Sequence, residues 1–115
     1  MNGKKGVGVR VDPSTWSVDE WKKVTSERIT VTRQMCPTAG FIFVLEVSAD
    51  ATGPGVVTIY DSHMAVGKIV YELYALANAG HGQVFKVPIY CNRGIHVVVG
   101  GHADSVSIQW MPWNP

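Results

Sequence analysis

The side chains that could do chemistry are four histidines, at 63, 81, 96 and 102, two cysteines, at 36 and 91, and nine Asp and Glu. A metal site needs three or four ligands within about 2.0–2.3 Å of one point, and a strand supplies them best as an H-x-H pair on one face. No such pair occurs. His96 and His102 are separated by a glycine-bearing turn, and the H-x-H cluster with a following Glu that a cupin-like metalloprotein would need is missing. The stretch "TIYDSHMAVGKIVYELYA" (58–75) contains Asp61, Ser62 and His63: a carboxylate, a hydroxyl and an imidazole in a row. Chain neighbours cannot face one another in triad geometry, whose members come from distant segments. The expectation is that Asp61 and Ser62 hydrogen-bond their own backbone to start a turn. His63 is then a loop residue.

Cys36 precedes a proline and has no neighbouring histidine or helix N-terminus to activate its thiol. Two cysteines are too few for a disulfide scaffold. Each flanks a strand-like run, so they can meet in space, and the expectation is two separate buried or half-buried thiols. "GVGVR" and "GKKGVG" lack the strand–loop–helix order of a phosphate cradle, and the acidic residues show no paired-carboxylate pattern. The chain therefore reads as no enzyme, with no cofactor, no metal and no small-molecule substrate.

The elements that would position these residues come from periodicity. Residues 1–27 read as an N-terminal arm. Ser17 and Glu20 have capping-box spacing, predicting a short helix from Val18 to about Val24 whose stripe must dock on something. From Arg28 the period becomes two. "RITVTRQ" (28–34) alternates, with Ile29 and Val31 inward. "FIFVLEVSA" (41–49) is apolar on both faces through Leu45, as in a central strand covered on both sides. Further runs at 56–60, 68–76, 84–91, 95–100 and 105–111 complete about seven strands. "NRG" (92–94) reads as a tight hairpin with Asn92 and Gly94 at positive φ, and Pro88 predicts an edge strand or a bulge. The fold class is all-β: an antiparallel sandwich of jelly-roll or Greek-key type over 28–115, behind the arm.

At 115 residues the chain is one domain, and its net charge of +1 leaves no footprint for nucleic acid or an anionic membrane. No run approaches the ~20 apolar residues of a membrane span. "MNGKKGVGVRVDPS" has no apolar signal block, which points to synthesis in the cytoplasm without export.

The aromatic residues could form a sugar platform, but Trp110 shares a face with Val106 and Ile108, as core does. Trp113, between two prolines, predicts a stiff terminal segment lying on the surface of something. Apolar side chains remain in surplus. Ile42, Val44, Val70 and Val98 fall on faces that Glu46, Glu72 and His96 mark as outward, and Trp16, Val18 and Trp21 add to them on the arm. Apolar surface of this kind marks a protein interface. The candidate contact residues are Trp16, Val18, Trp21, Ile42, Val44, Val98 and Trp113.

The pattern "GVVTIYDSHMAVGKIVYELYA … VFKVPIYCNRGIHVVVGGHADSVSIQWMP" (55–112) resembles a theme of small structural proteins of tailed bacteriophages. Its carriers are Tyr60-Asp61, Gly67, Phe85, Pro88-Ile89, Gly94-Ile95 and Val106-Ile108-Trp110. The resemblance implies a capsid cement or decoration protein on the virion surface, assembled in the host cytoplasm. Its partners would be the major capsid protein and its own copies, as a homotrimer, and it carries no active-site residues. The alternatives are a tail, baseplate or fibre component, or a carbohydrate-binding module for a host surface.

Overall fold

A computed structural model of the chain describes residues 22–113. Eight strands form: β1 (Thr25–Ile29), β2 (Arg33–Cys36), β3 (Gly40–Ala49), β4 (Gly55–Asp61), β5 (Lys68–Ala75), β6 (Gly80–Cys91), β7 (Ile95–Gly101) and β8 (Ala103–Pro112). They make two four-stranded sheets, ordered β1-β8-β3-β6 and β2-β7-β4-β5. Every pairing is antiparallel. The chain is an all-β, sandwich-like body, and no helix occurs among the described residues.

Alternation builds the core. Leu45 and Val47 of β3, Val57 and Ile59 of β4, Val97 of β7, and Val106 and Ile108 of β8 are buried between the sheets. Each such side chain stabilises the fold by about 1.5–3 kcal/mol. A second cluster, Phe41, Phe43, Met111 and Trp113 with half-buried Val24 and Tyr90, covers the far face of β3 near its start. That cluster explains why 41–45 is apolar on both faces. The open flanks of the sandwich are closed by side chains. On one, Glu27 of β1 pairs with Arg33 of β2 at 3.0 Å and accepts the Trp110 indole N–H at 3.3 Å. On the other, Tyr71 of β5 meets Phe85 of β6 edge-on, with ring centroids 5.0 Å apart.

Several expectations are corrected. The run 28–34 is two strands in different sheets, because the chain turns a corner at 30–32; the Thr32 hydroxyl accepts the Val99 N–H at 3.0 Å and fixes that corner. Ile29 is buried as expected, but Val31 lies on the corner and is 66% exposed. The "NRG" turn is no hairpin either: β6 and β7 belong to different sheets, and Asn92 is not at positive φ. The sandwich begins at Thr25 rather than Arg28. The predicted helix lies outside the described residues up to 21, and 22–24 form a turn that brings Val24 to the second cluster. Pro88 sits on edge strand β6, within a register break in which 85–88 oppose Phe43.

Candidate functional site

Asp61 ends β4, and its carboxylate reaches the turn between β6 and β7. Oδ1 accepts the Arg93 N–H at 2.6 Å, and Oδ2 accepts the Asn92 N–H at 3.1 Å. Asp61 thus holds a distant turn, where the sequence predicted that it would bond its own backbone. Ser62 does start a local turn, its hydroxyl accepting the Met64 N–H at 3.4 Å. His63 is exposed, with Nδ1 3.5 Å from the Gln34 side-chain nitrogen. Asp61 and His63 are engaged with different partners rather than with each other.

A second polar cluster, unseen in the sequence, sits at the opposite end. Asp50 accepts the Thr52 hydroxyl at 2.6 Å and the Thr52 N–H at 2.8 Å. His102 Nδ1 lies 3.1 Å from that hydroxyl and 3.4 Å from Asp50 Oδ2. The residue types are those of an acid–base–nucleophile set, but the arrangement is not. The Thr52 proton goes to the carboxylate, and a single imidazole nitrogen meets both partners, whereas a triad needs the two ring nitrogens on different ones. The cluster is a loop clamp. A Cβ on Gly53 would overlap the His102 ring, so only glycine lets the ring lie on the loop. The Asp-x-Thr spacing at 50–52 signals the local turn. Nothing in the sequence signals His102.

The two cysteines are free and buried. The Cys36 thiol donates to the Thr38 carbonyl at 3.1 Å. Burial, then the charges of Asp61 and Cys36, push the Cys91 thiol up to about 12, so it stays protonated at neutral pH. Among the described residues, no three or more His, Cys, Asp or Glu are grouped so as to hold a metal.

The predicted contact residues do not converge. Trp16, Val18 and Trp21 lie outside the described residues. Ile42 is fully buried in the chain's own core and has no surface to offer a partner. The reason is a register shift between Ile42 and Val44. A bulge reverses the facing of all that follows, so Ile42 and Leu45 both point inward although three apart. Trp113 is buried against its own chain: its backbone N–H donates to the Ala39 carbonyl at 2.8 Å and its ring packs edge-on to Phe41, 5.2 Å between centroids. Val44 and Val98 are half-buried but belong to different sheets, one on each outer face.

The exposed apolar side chains lie elsewhere. Tyr71 against Phe85, and His81 Nδ1 2.8 Å from the Tyr74 carbonyl, align the edges β5 and β6. Along that flank Ile69 is 50% exposed and Val84 and Val87 are each 69% exposed, and the connector before β5 adds Met64 and Val66. Strict alternation would put Ile69 on one face with Tyr71 and Leu73. A bulge in β5 near Val70 turns it out. Lys68 and Lys86 stand on the same edges and, with the bulges, discourage strand-to-strand pairing.

The outer face of the first sheet carries a concave groove of about 610 Å³, lined by polar side chains of β1, β3, β6 and β8 around Val44 and Val84. No aromatic ring lines it. Among the described residues no helix is long and apolar enough to cross a membrane. No family model matches this chain, nor does any curated protein or solved structure.

Proposed function

We propose that this chain is a structural subunit of a virus particle, a cement or decoration protein that stabilises a bacteriophage head by binding protein surfaces. The observation that carries this reading is the apolar flank along β5 and β6, where Ile69, Val84 and Val87 meet water although a well-packed core lies beside them. Contiguous apolar surface on a small domain costs solubility and is kept where a partner covers it. With Lys68 and Lys86 at its rim, the flank suits an apolar patch bordered by carboxylates, as on a capsid subunit.

The strand pairing supports the finer fold reading. β1 with β8, β2 with β7, β3 with β6 and β4 with β5 are the partners left when one long hairpin is rolled up, which is jelly-roll order. Viral capsid domains use that architecture, and so do lectins and cupins, so the fold alone selects none of them. On this reading the N-terminal arm, with Trp16, Val18 and Trp21, anchors the subunit to the major capsid protein, and copies pack against one another on the head. Many weak contacts on one shell then add by avidity. A tail or baseplate position fits the same surface and differs in where the density lies on a particle.

The test is co-sedimentation of the purified chain with assembled heads. Binding is expected for the natural chain and lost in Ile69→Lys and Val87→Lys, whose exposed sites tolerate lysine. Heads that bind neither the natural chain nor any variant, or that bind all of them alike, overturn the reading.

A further inference from the structure

Two rows of side chains cross the outer face of the first sheet. The register aligns Arg28 of β1, Ser107 of β8 and Glu46 of β3 in one row, and Ser26, Gln109 and Val44 in the next. These residues line the groove on this face. Adjacent strands are about 4.8 Å apart, so the Arg28 and Glu46 backbones are separated by about 10 Å with only the short Ser107 between them. Among the described residues the side chains of Arg28 and Glu46 have no hydrogen-bond or ion-pair partner. A cation and an anion, neither paired among the described residues, stand at equal distances on either side of β8.

That arrangement is antisymmetric in charge about the β8 axis, which is what a two-fold interface demands. An isologous contact brings one surface against itself, so every charge must meet its opposite when the face is rotated by half a turn. An axis parallel to β8 and passing above Ser107 carries β1 of one copy over β3 of the other. Arg28 then lies over Glu46 twice, Ser26 over Val44 twice, and Gln109 faces its own counterpart. Sheets packed face to face are about 10 Å apart, within the combined reach of an arginine and a glutamate.

We infer that the outer face of the first sheet is a two-fold contact between copies of this chain, held by reciprocal Arg28–Glu46 ion pairs. The inference rests on the reading of the chain as an assembling subunit, and adds which face meets its own copies. The groove borders the apolar flank at Val84.

Sedimentation equilibrium over a range of concentrations tests it with four full-length proteins: the natural chain, Arg28→Glu, Glu46→Arg and the double exchange. The natural chain should form dimers that loosen as salt is raised. Each single reversal places like charges together twice and should weaken the dimer at least about tenfold, while the double exchange should return to within about threefold of the natural value. Circular dichroism melts show whether each variant folds. Should a single variant fail to fold, amide exchange of the natural chain serves instead, with protection of 105–110 that rises with concentration. A natural chain that stays monomeric, an oligomer indifferent to both single reversals, or a double exchange no better than either single one overturns the inference. Self-association that ignores the reversals sinks this face alone, whereas loss of head binding by a chain that still dimerises sinks the capsid reading alone.

Discussion

Asp61 and Arg93, 32 residues apart, are joined by a 2.6 Å hydrogen bond from the Arg93 amide to the Asp61 carboxylate. With the Asn92 amide on the other oxygen, one carboxylate fastens the corner at which the chain crosses from the first sheet to the second. Gly94 completes the corner, since a Cβ there would come within 2.8 Å of the Cys36 and Ser62 carbonyl oxygens. The polar residue that most invites a catalytic reading is thus spent on chain crossing.

Replacing Asp61 tests that role. Hydrogen bonds to a charged group contribute about 1.5–3 kcal/mol each, less where water can replace them. Asp61→Ala should destabilise the chain by roughly 1–3 kcal/mol and Asp61→Asn by about half as much, read as a shift of the urea midpoint at constant m. Substitution of exposed His63 by Ala should leave the midpoint unmoved. Equal effects at both positions would contradict the assignment.

The sequence showed the strands wherever alternation ran unbroken, and failed where parity broke. Residues 56–60 and 105–111 lie within β4 and β8, where Val57, Ile59, Val106 and Ile108 face one core in unbroken alternation. Strand β6 begins at Gly80, although the glycines and polar residues of 80–83 have low strand propensity; pairing with β3 overrides that preference. The corner at 30–32 continues the Ile29–Val31 alternation, so only the change of sheet reveals it. Bulges at Phe43 and Val70 leave no mark in residue type, and they moved Ile42 inward and Ile69 outward. The contact-residue reading inherited the first, naming Ile42 as surface. The charge row Arg28–Ser107–Glu46 needs three strands in register, which no local pattern contains.

The corner makes its own prediction. Ile29 is 4% exposed in the core and Val31 is 66% exposed, so a single strand and a corner imply different costs. Ile29→Ala should cost about 2–4 kcal/mol and Val31→Ala less than about 0.5 kcal/mol in chemical denaturation. Comparable losses at the two positions would restore the single strand.

Cys91 gives the pH dependence a sign. Its thiol is raised from 9.0 to about 12, chiefly by burial, so the folded chain holds this proton more tightly than the unfolded one. Its contribution is fully present below pH 9.0 and is lost as pH rises toward about 12. The slope in that window is about 1.4 kcal/mol per pH unit. Denaturation midpoints measured from pH 8 to pH 11 should fall more steeply for the natural chain than for Cys91→Ala. Parallel curves would show that the thiol is not held neutral.

The loop clamp titrates in the opposite sense. The Thr52 hydroxyl first, then the Thr52 amide and His102, hold the Asp50 carboxyl below its usual range. Its share of stability is therefore present above the unfolded carboxyl pKa and disappears as pH falls through the folded value. Thr52→Val removes the largest cause and should raise the Asp50 pKa, read from the carboxyl carbon shift by NMR. Gly53→Ala should displace the His102 ring and raise it by a smaller amount. An Asp50 titration unchanged in Thr52→Val would mean that the clamp does not persist in solution.

Tyr71 and Phe85 carry the last prediction, because on their contact depends whether the apolar flank is one surface. They are the edge-on pair that ties β5 of one sheet to β6 of the other, with ring planes 85° apart. Such pairs contribute about 0.5–1.5 kcal/mol beyond the area they bury. A double-mutant cycle of Tyr71→Leu and Phe85→Leu should return a coupling energy in that range, and each single change should increase amide exchange along both edge strands. The leucines keep apolar bulk, so the cycle isolates the ring–ring term from plain burial. A coupling energy near zero would mean that the edges move independently, and the exposed Ile69, Val84 and Val87 would then be separate side chains and no shared docking surface.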